Sequence, residues 1–149
     1  LVDGRKVAGL LAEMDSDGER LAAVLLGIGI NVNLGLDELP DELRDKAGSV
    51  AAALGRPVAR HELAAGLLAA FERRYDAFLQ GGFAALRDDW NRLSCLGGRH
   101  VRIVDGGRRI EGTVVGIGAD GTLELRGDGG AVLHVVAGEV TVADGYARE

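Results

Sequence analysis

A single cysteine, Cys95, excludes an internal disulfide framework, and a reducing cytosol is the compartment that such a chain suits. Three scattered histidines, His61, His100 and His134, add no ligand cluster with metal spacing and have no serine or cysteine partner of a triad. No uninterrupted apolar run approaches the roughly 20 residues that a membrane helix requires. No charged, apolar and small-residue signal order opens the chain either, so a cytoplasmic protein without membrane contact is expected. There is no internal repeat of 20 to 50 residues. Basic residues are not in excess: the formal charge is −6, with 11 basic against 15 acidic side chains over residues 1–98 and 6 against 8 over 99–149. A nucleic-acid backbone is thereby disfavoured as partner, because that affinity comes from clustered cations.

What is present suits one ordinary domain, or a partial one with a small appendage. An apolar share of 47% over 149 residues is ample for a core. The chain opens at Leu1 without methionine, as expected of a piece of a longer protein. Asp3-Gly4 is a tight-turn signal, so Leu1-Val2 is read as the stub of a strand whose hairpin partner is Lys6–Met14. Asp15-Ser16-Asp17-Gly18 marks a second turn. Arg20–Ile30 is nearly continuously apolar, as in a strand buried on both faces.

Residues 34–56 read as a surface excursion carrying a short helix at Ser49–Leu54, capped by Ser49 and ended by Gly55. Leu63, Leu67, Phe71, Tyr75 and Phe78 then recur at spacings of three and four, predicting a long helix over 60–80 with that face inward, ended by Gly81-Gly82. Phe83, Leu86, Trp90 and Leu93 repeat the spacing in a shorter helix, with Trp90 in the core. Gly97-Gly98 marks a domain boundary, giving domains 1–97 and 98–149. Beyond it, short strands near 99–104, 109–117, 122–126, 131–136 and 139–142, separated by Asp-Gly turns, predict a small SH3-like barrel.

Two segments carry the chemistry. Arg5-Lys6-Val7-Ala8-Gly9-Leu10-Leu11 puts one cation at the head of a β-type run beside a glycine, and Gly27-Ile28-Gly29-Ile30-Asn31 supplies two more glycines and a polar amide. On their own these residues have ordinary readings: a lysine at a strand edge discourages aggregation, strand glycines mark bulges, and an asparagine after a strand forms a turn. Gly-x-Gly followed by a strand lacks the third glycine and the helix start of a phosphate loop. Asp15, Asp17 and Glu19 lack calcium-loop spacing and suit a charged hairpin turn, so no dedicated metal site is assigned.

In this order, with a helical middle and a β-rich tail, the two segments resemble the C-terminal part of biotin protein ligase. That family has R-K-x-A-G-[IL]-L on a strand with a catalytic lysine, and G-x-G-x-N on its neighbour. Gly112-x-Val114-x-x-Ile117, Asp120-Gly121 and Gly138-Glu139-Val140 resemble the family's terminal domain. The resemblance implies an α+β fold, part of a class II synthetase-like mixed sheet with packed helices followed by the SH3-like barrel. It implies ATP-dependent activation of biotin to biotinyl-AMP and transfer to a lysine of a biotin carboxyl carrier domain, with Mg2+ accompanying the nucleotide.

Residue by residue, Lys6 becomes an electrostatic catalyst against the biotin carboxylate and α-phosphate, not a nucleophile. Gly9, Gly27 and Gly29 become a backbone surface for the biotin ring, with Leu11 and Ile30 as walls. Asn31 lies near the nucleotide phosphates, and Asn33 has no role. The family's glycine- and arginine-rich loop, its serine/threonine-arginine segment and the run preceding the lysine are missing, so the 149 residues alone are expected to be inactive. Ala143 stands where some relatives have an arginine. Two other readings remain: a lipoate or octanoate ligase, against which the Gly-x-Gly-x-Asn segment and the tail speak, and a non-catalytic interaction module. An open edge of strand 6–14 would pair with a second subunit.

Overall fold

Asp3 and Gly4 both take positive φ, 48° and 74°, and Val2 and Arg5 exchange two 2.9 Å backbone hydrogen bonds across them. This is the mirror-image turn that an Asp-Gly pair favours. The computed structural model describes residues 1–18 and 20–142, in two compact units divided at Ala64/Ala65.

In the first unit, hairpin pairing with Leu1-Val2 stops at Arg5, and β1 spans Ala8–Asp17 rather than starting at Lys6. Lys6 instead makes a parallel bridge to Ala47. The expected four-residue turn at 15–18 is also shorter: Asp15, Ser16 and Asp17 stay paired, a bulge after Asp15 taking up the register change. Gly18, at φ 65°, begins the turn, and Glu19 lies outside the described residues. β2, Arg20–Ile30, runs antiparallel to β1 with Gly9 opposite Gly29 and Leu11 opposite Gly27. Burial on both faces is not found, Val24 and Leu25 being 54% and 60% exposed. The sheet has only two strands, and among the described residues no further layer of this unit packs on it.

The excursion holds two single 3-10 turns, Leu36–Glu38 and Asp41–Leu43, and α1, Val50–Leu54. Ser49 caps α1 by accepting from the Ala52 amide at 3.1 Å, and Gly55 ends it at φ 66°. Residues 34–56 are not all surface, since Gly48 and Ser49 are the buried residues among those described in this unit.

The bulk of α2, Arg60–Gly81, and α3, Ala84–Leu93, belong to the second unit. The expected stripe of α2 exists but is uncovered: Phe71 and Tyr75 are 48% and 51% exposed. Their rings stack along the helix at 6.1 Å, and Phe78 meets Phe83 edge-on at 6.2 Å. Gly82 closes α2 by donating to the Phe78 carbonyl. Trp90 is half-buried rather than core, because the closed core is made entirely by strands.

Those strands are β3 His100–Asp105, β4 Arg108–Ile117, β5 Leu123–Arg126, β6 Val132–Val135 and β7 Glu139–Val142, antiparallel in the order β6-β5-β4-β3-β7. Alternation sends Val101, Ile103, Val114, Leu125, Val135 and Val142 inward, the SH3-like arrangement expected. Each such fully buried aliphatic side chain contributes about 1.5–3 kcal/mol.

This unit reaches further toward the N-terminus than residue 98. Asn91 of α3 accepts from the Ile117 amide at 2.9 Å, over a Gly116 with no room for a Cβ, and Phe83 fills the space above Gly121. Residues 143–149, including Ala143, lie outside the described residues.

On the outer face of β3 and β4, Arg102 and Arg109 donate to Glu111 Oε1 at 2.7 and 2.8 Å. These bonds, that from Arg102 first, hold the Glu111 carboxyl below the usual carboxylate range. A depressed folded-state value means that the stabilisation is present above the ordinary glutamate range and lost as pH falls through it toward the depressed value. Acid titration of the thermal midpoint should therefore be flatter for Glu111→Gln, and less so in high salt, since the group is exposed. An unchanged acid slope would contradict this.

Candidate functional site

Strand alternation sorts the candidate residues onto two faces. Gly9, Leu11, Gly27 and Gly29 share one face of the β1–β2 hairpin, because Gly9 faces Gly29 and Leu11 faces Gly27. The three glycines leave bare backbone there. Ile30 pairs with Ala8 and so lies on the opposite face; the register separates it from Leu11 and corrects the expectation that both wall one pocket.

The Lys6 side chain folds over the glycine face. A Cβ on Gly9 would stand 3.6 Å from Lys6 Cε and 3.7 Å from Nζ. One cation thus sits at one end of an open floor, with Leu11 and Leu25 rising beside Gly27 and the acidic Glu13, paired with Leu25, on the same face. None of the three glycines has a positive φ, and none has a neighbour closer than 3.6 Å to a built Cβ. Their backbone conformation therefore does not demand glycine. What distinguishes them is the open space above, which a flat ligand with a terminal anion would fill.

Asn31 stands where β2 ends. Its backbone amide donates to the Val7 carbonyl at 2.9 Å, its own carbonyl accepts from Val50, and its side-chain Nδ2 donates to the Gly48 carbonyl at 3.0 Å. It is half-buried. Asn33, assigned no role, is a structural clamp: its amide both donates to and accepts from Val58 at 2.9 Å.

Elsewhere the chemistry is sparse. Among the described residues, no group of three or more His, Cys, Asp or Glu is arranged to hold a metal ion. Asp120 accepts from the Thr122 hydroxyl at 2.8 Å, and that hydroxyl lies 3.2 Å from His134 Nδ1, which pins an exposed turn. Hydrogen bonds from Thr122 hold the Asp120 carboxyl below its usual range. Cys95 is free and half-buried.

Sequence reading passed over Gly48. Its only local signal is its position before the Ser49 cap, whereas its importance comes from residues more than 15 positions away.

Residues 96–142 match the family model of the biotin protein ligase C terminal domain. The chain is 34% identical over 125 residues to the bifunctional ligase/repressor BirA of Bacillus spizizenii, covering 84% of this chain and 38% of that protein. It is 33% identical over 135 residues to the biotin–[acetyl-CoA-carboxylase] ligase of Paracoccus denitrificans, covering 87% and 55% respectively. The chain thus spans between 38% and 55% of the length of these relatives. Among solved structures, the apo biotin protein ligase of Aquifex aeolicus superposes with a TM-score of 0.78 at 24% identity, over 93% of this chain and 59% of that one. The same protein in complex with biotin and ATP gives 0.76 at 24% identity, over 94% and 56%. At that identity the structural likeness speaks for the fold.

Proposed function

We propose that this chain is the C-terminal part of a biotin protein ligase and supplies one wall and the catalytic cation of a site that activates biotin and transfers it to protein, a reading supported by the match of residues 96–142 and by the ligase relatives. A biotin carboxylate oxygen attacks the α-phosphorus of ATP, pyrophosphate leaves, and a lysine amine of a biotin carboxyl carrier domain then attacks the carbonyl of biotinyl-AMP, releasing AMP. The observation that carries this reading is the Lys6 ammonium lying over the face shared by Gly9, Gly27 and Gly29.

In the first step Lys6 offsets the negative charge that gathers where carboxylate meets phosphate. The bare backbone of the three glycines receives the ring system, flanked by Leu11, while Ile30 supports the sheet from behind. Asn31 would lie beside the nucleotide phosphates, and Mg2+ would accompany those phosphates and offset their charge rather than occupy a protein site of its own. We assign residues 98–149 as the terminal domain, against which α3 packs, the cytoplasm as the compartment, and the outer edge of β1, unpaired among the described residues, as the pairing surface of a homodimer. No helix among the described residues is long and apolar enough to cross a membrane.

Labelled biotin incubated with ATP, a carrier domain and the full-length ligase should appear on the carrier, with unlabelled lipoate in excess failing to compete. Effective competition, together with transfer of labelled lipoate, would replace this reading with the lipoate one. Absence of any transfer would leave the interaction module.

A further inference from the structure

Lys6 lies outside β1, so the strand ladder does not fix its backbone. One segment does so from both sides. The Lys6 amide donates to the Lys46 carbonyl at 2.8 Å, and the Lys6 carbonyl accepts from the Gly48 amide at 3.0 Å. The Gly48 carbonyl in turn accepts from Asn31 Nδ2 at 3.0 Å, and the Asn31 amide returns to Val7, the residue after Lys6. A closed circuit of main chain and one amide thus joins the cation to the end of the strand carrying Gly27 and Gly29.

Burial concentrates at the same place. Gly48 and Ser49 are buried in a unit whose other described residues are partly or fully exposed, and the Ser49 hydroxyl donates to the Leu34 carbonyl at 2.7 Å. Gly48 also has no spare room. A Cβ there would lie 3.2 Å from Arg5 Cβ and 3.7 Å from Val7 Cγ1. Arg5 Cβ is fixed to its own backbone, so the strain of a methyl group must be relieved by a shift of a few tenths of an ångström between 46–48 and 5–7.

We propose that Lys46–Gly48 is a positioning clamp for Lys6 in the ligase reaction, with Gly48 as the positioning residue. The inference rests on the ligase reading. Gly48 touches no substrate; it acts by holding the main chain from which the ammonium reaches over the glycine face. Small displacements of a reacting group are costly, about a hundredfold for 1 Å, so a shift of tenths should cost about tenfold.

The test uses the full-length ligase in two forms. Gly48→Ala adds the methyl group. An ester in place of the Gly48 amide, introduced as glycolic acid, removes only the hydrogen bond to Lys6. We expect kcat for biotinyl-adenylate formation to fall about tenfold in the first and severalfold in the second, with KM for biotin and ATP within about twofold of wild type. Hydrogen exchange should rise at Lys6 and stay unchanged in the barrel strands. If Gly48→Ala does not fold, the ester form decides.

Wild-type kcat in a folded variant, or a loss confined to KM for ATP, overturns the clamp. If the unmodified enzyme forms no biotinyl adenylate, the ligase reading fails instead, and unchanged exchange at Lys6 in the ester form would separately dismiss the clamp.

Discussion

Replacing Lys6 with alanine should slow biotinyl-adenylate formation by about two to three orders of magnitude, the cost of removing one preorganised charge from a developing anion. The fold should survive. Lys6 is exposed, and the bonds that fix it to Lys46 and Gly48 are main-chain bonds that alanine keeps. Pyrophosphate release in a single turnover, measured beside thermal midpoints, separates chemistry from stability. Lys6→Arg is expected to recover only part of the rate, because a planar guanidinium spreads its charge and cannot lie as compactly over Gly9. A Lys6→Ala enzyme within twofold of wild type would remove Lys6 from the mechanism and leave the glycine face as a binding surface only.

The elements legible from sequence are those whose signal is local. Ser49 and Gly55 bound α1 because a cap and a left-handed terminator act within four residues, and three Asp-Gly turns separate the first four barrel strands for the same reason. Faces and partners were less legible. The apolar composition of 20–30 marks a surface suited to cover, yet two strands cannot cover each other's faces, so Val24 and Leu25 stand exposed. The aromatic stripe of α2 has the right period and meets the same fate. For the site, Gly27 and Gly29 fell on one face as their spacing of two requires, and the pairing of Gly9 with Gly29 brings Gly9 to it. Ile30 went to the other because parity along a strand outweighs nearness in sequence. Gly48 escaped notice since its demand for glycine arises from Arg5, 43 residues earlier, and no local pattern encodes that approach.

Gly27→Val should raise the dissociation constant for biotin at least about a hundredfold, close to 3 kcal/mol at about 1.4 kcal/mol per decade. Gly27 is the place to ask because the protein itself tolerates the change. A Cβ there meets Leu11 O at 3.6 Å and Leu11 Cβ at 3.9 Å, ordinary contact distances, and its φ is not positive. Valine also favours an extended strand over glycine, by up to about 1 kcal/mol, so the hairpin should hold or tighten. The isopropyl group must then occupy the space above the backbone where the ring system is proposed to lie. Equilibrium dialysis of labelled biotin against the full-length variant reads the loss directly. ATP binding serves as control, since Asn31 follows the end of β2 and keeps its own bonds to Val7, Val50 and Gly48. Gly27→Ala, adding only the first carbon, should show an intermediate weakening. Biotin affinity unchanged by valine would place the ring elsewhere, and the bare backbone of Gly9, Gly27 and Gly29 would then be only a feature of strand packing.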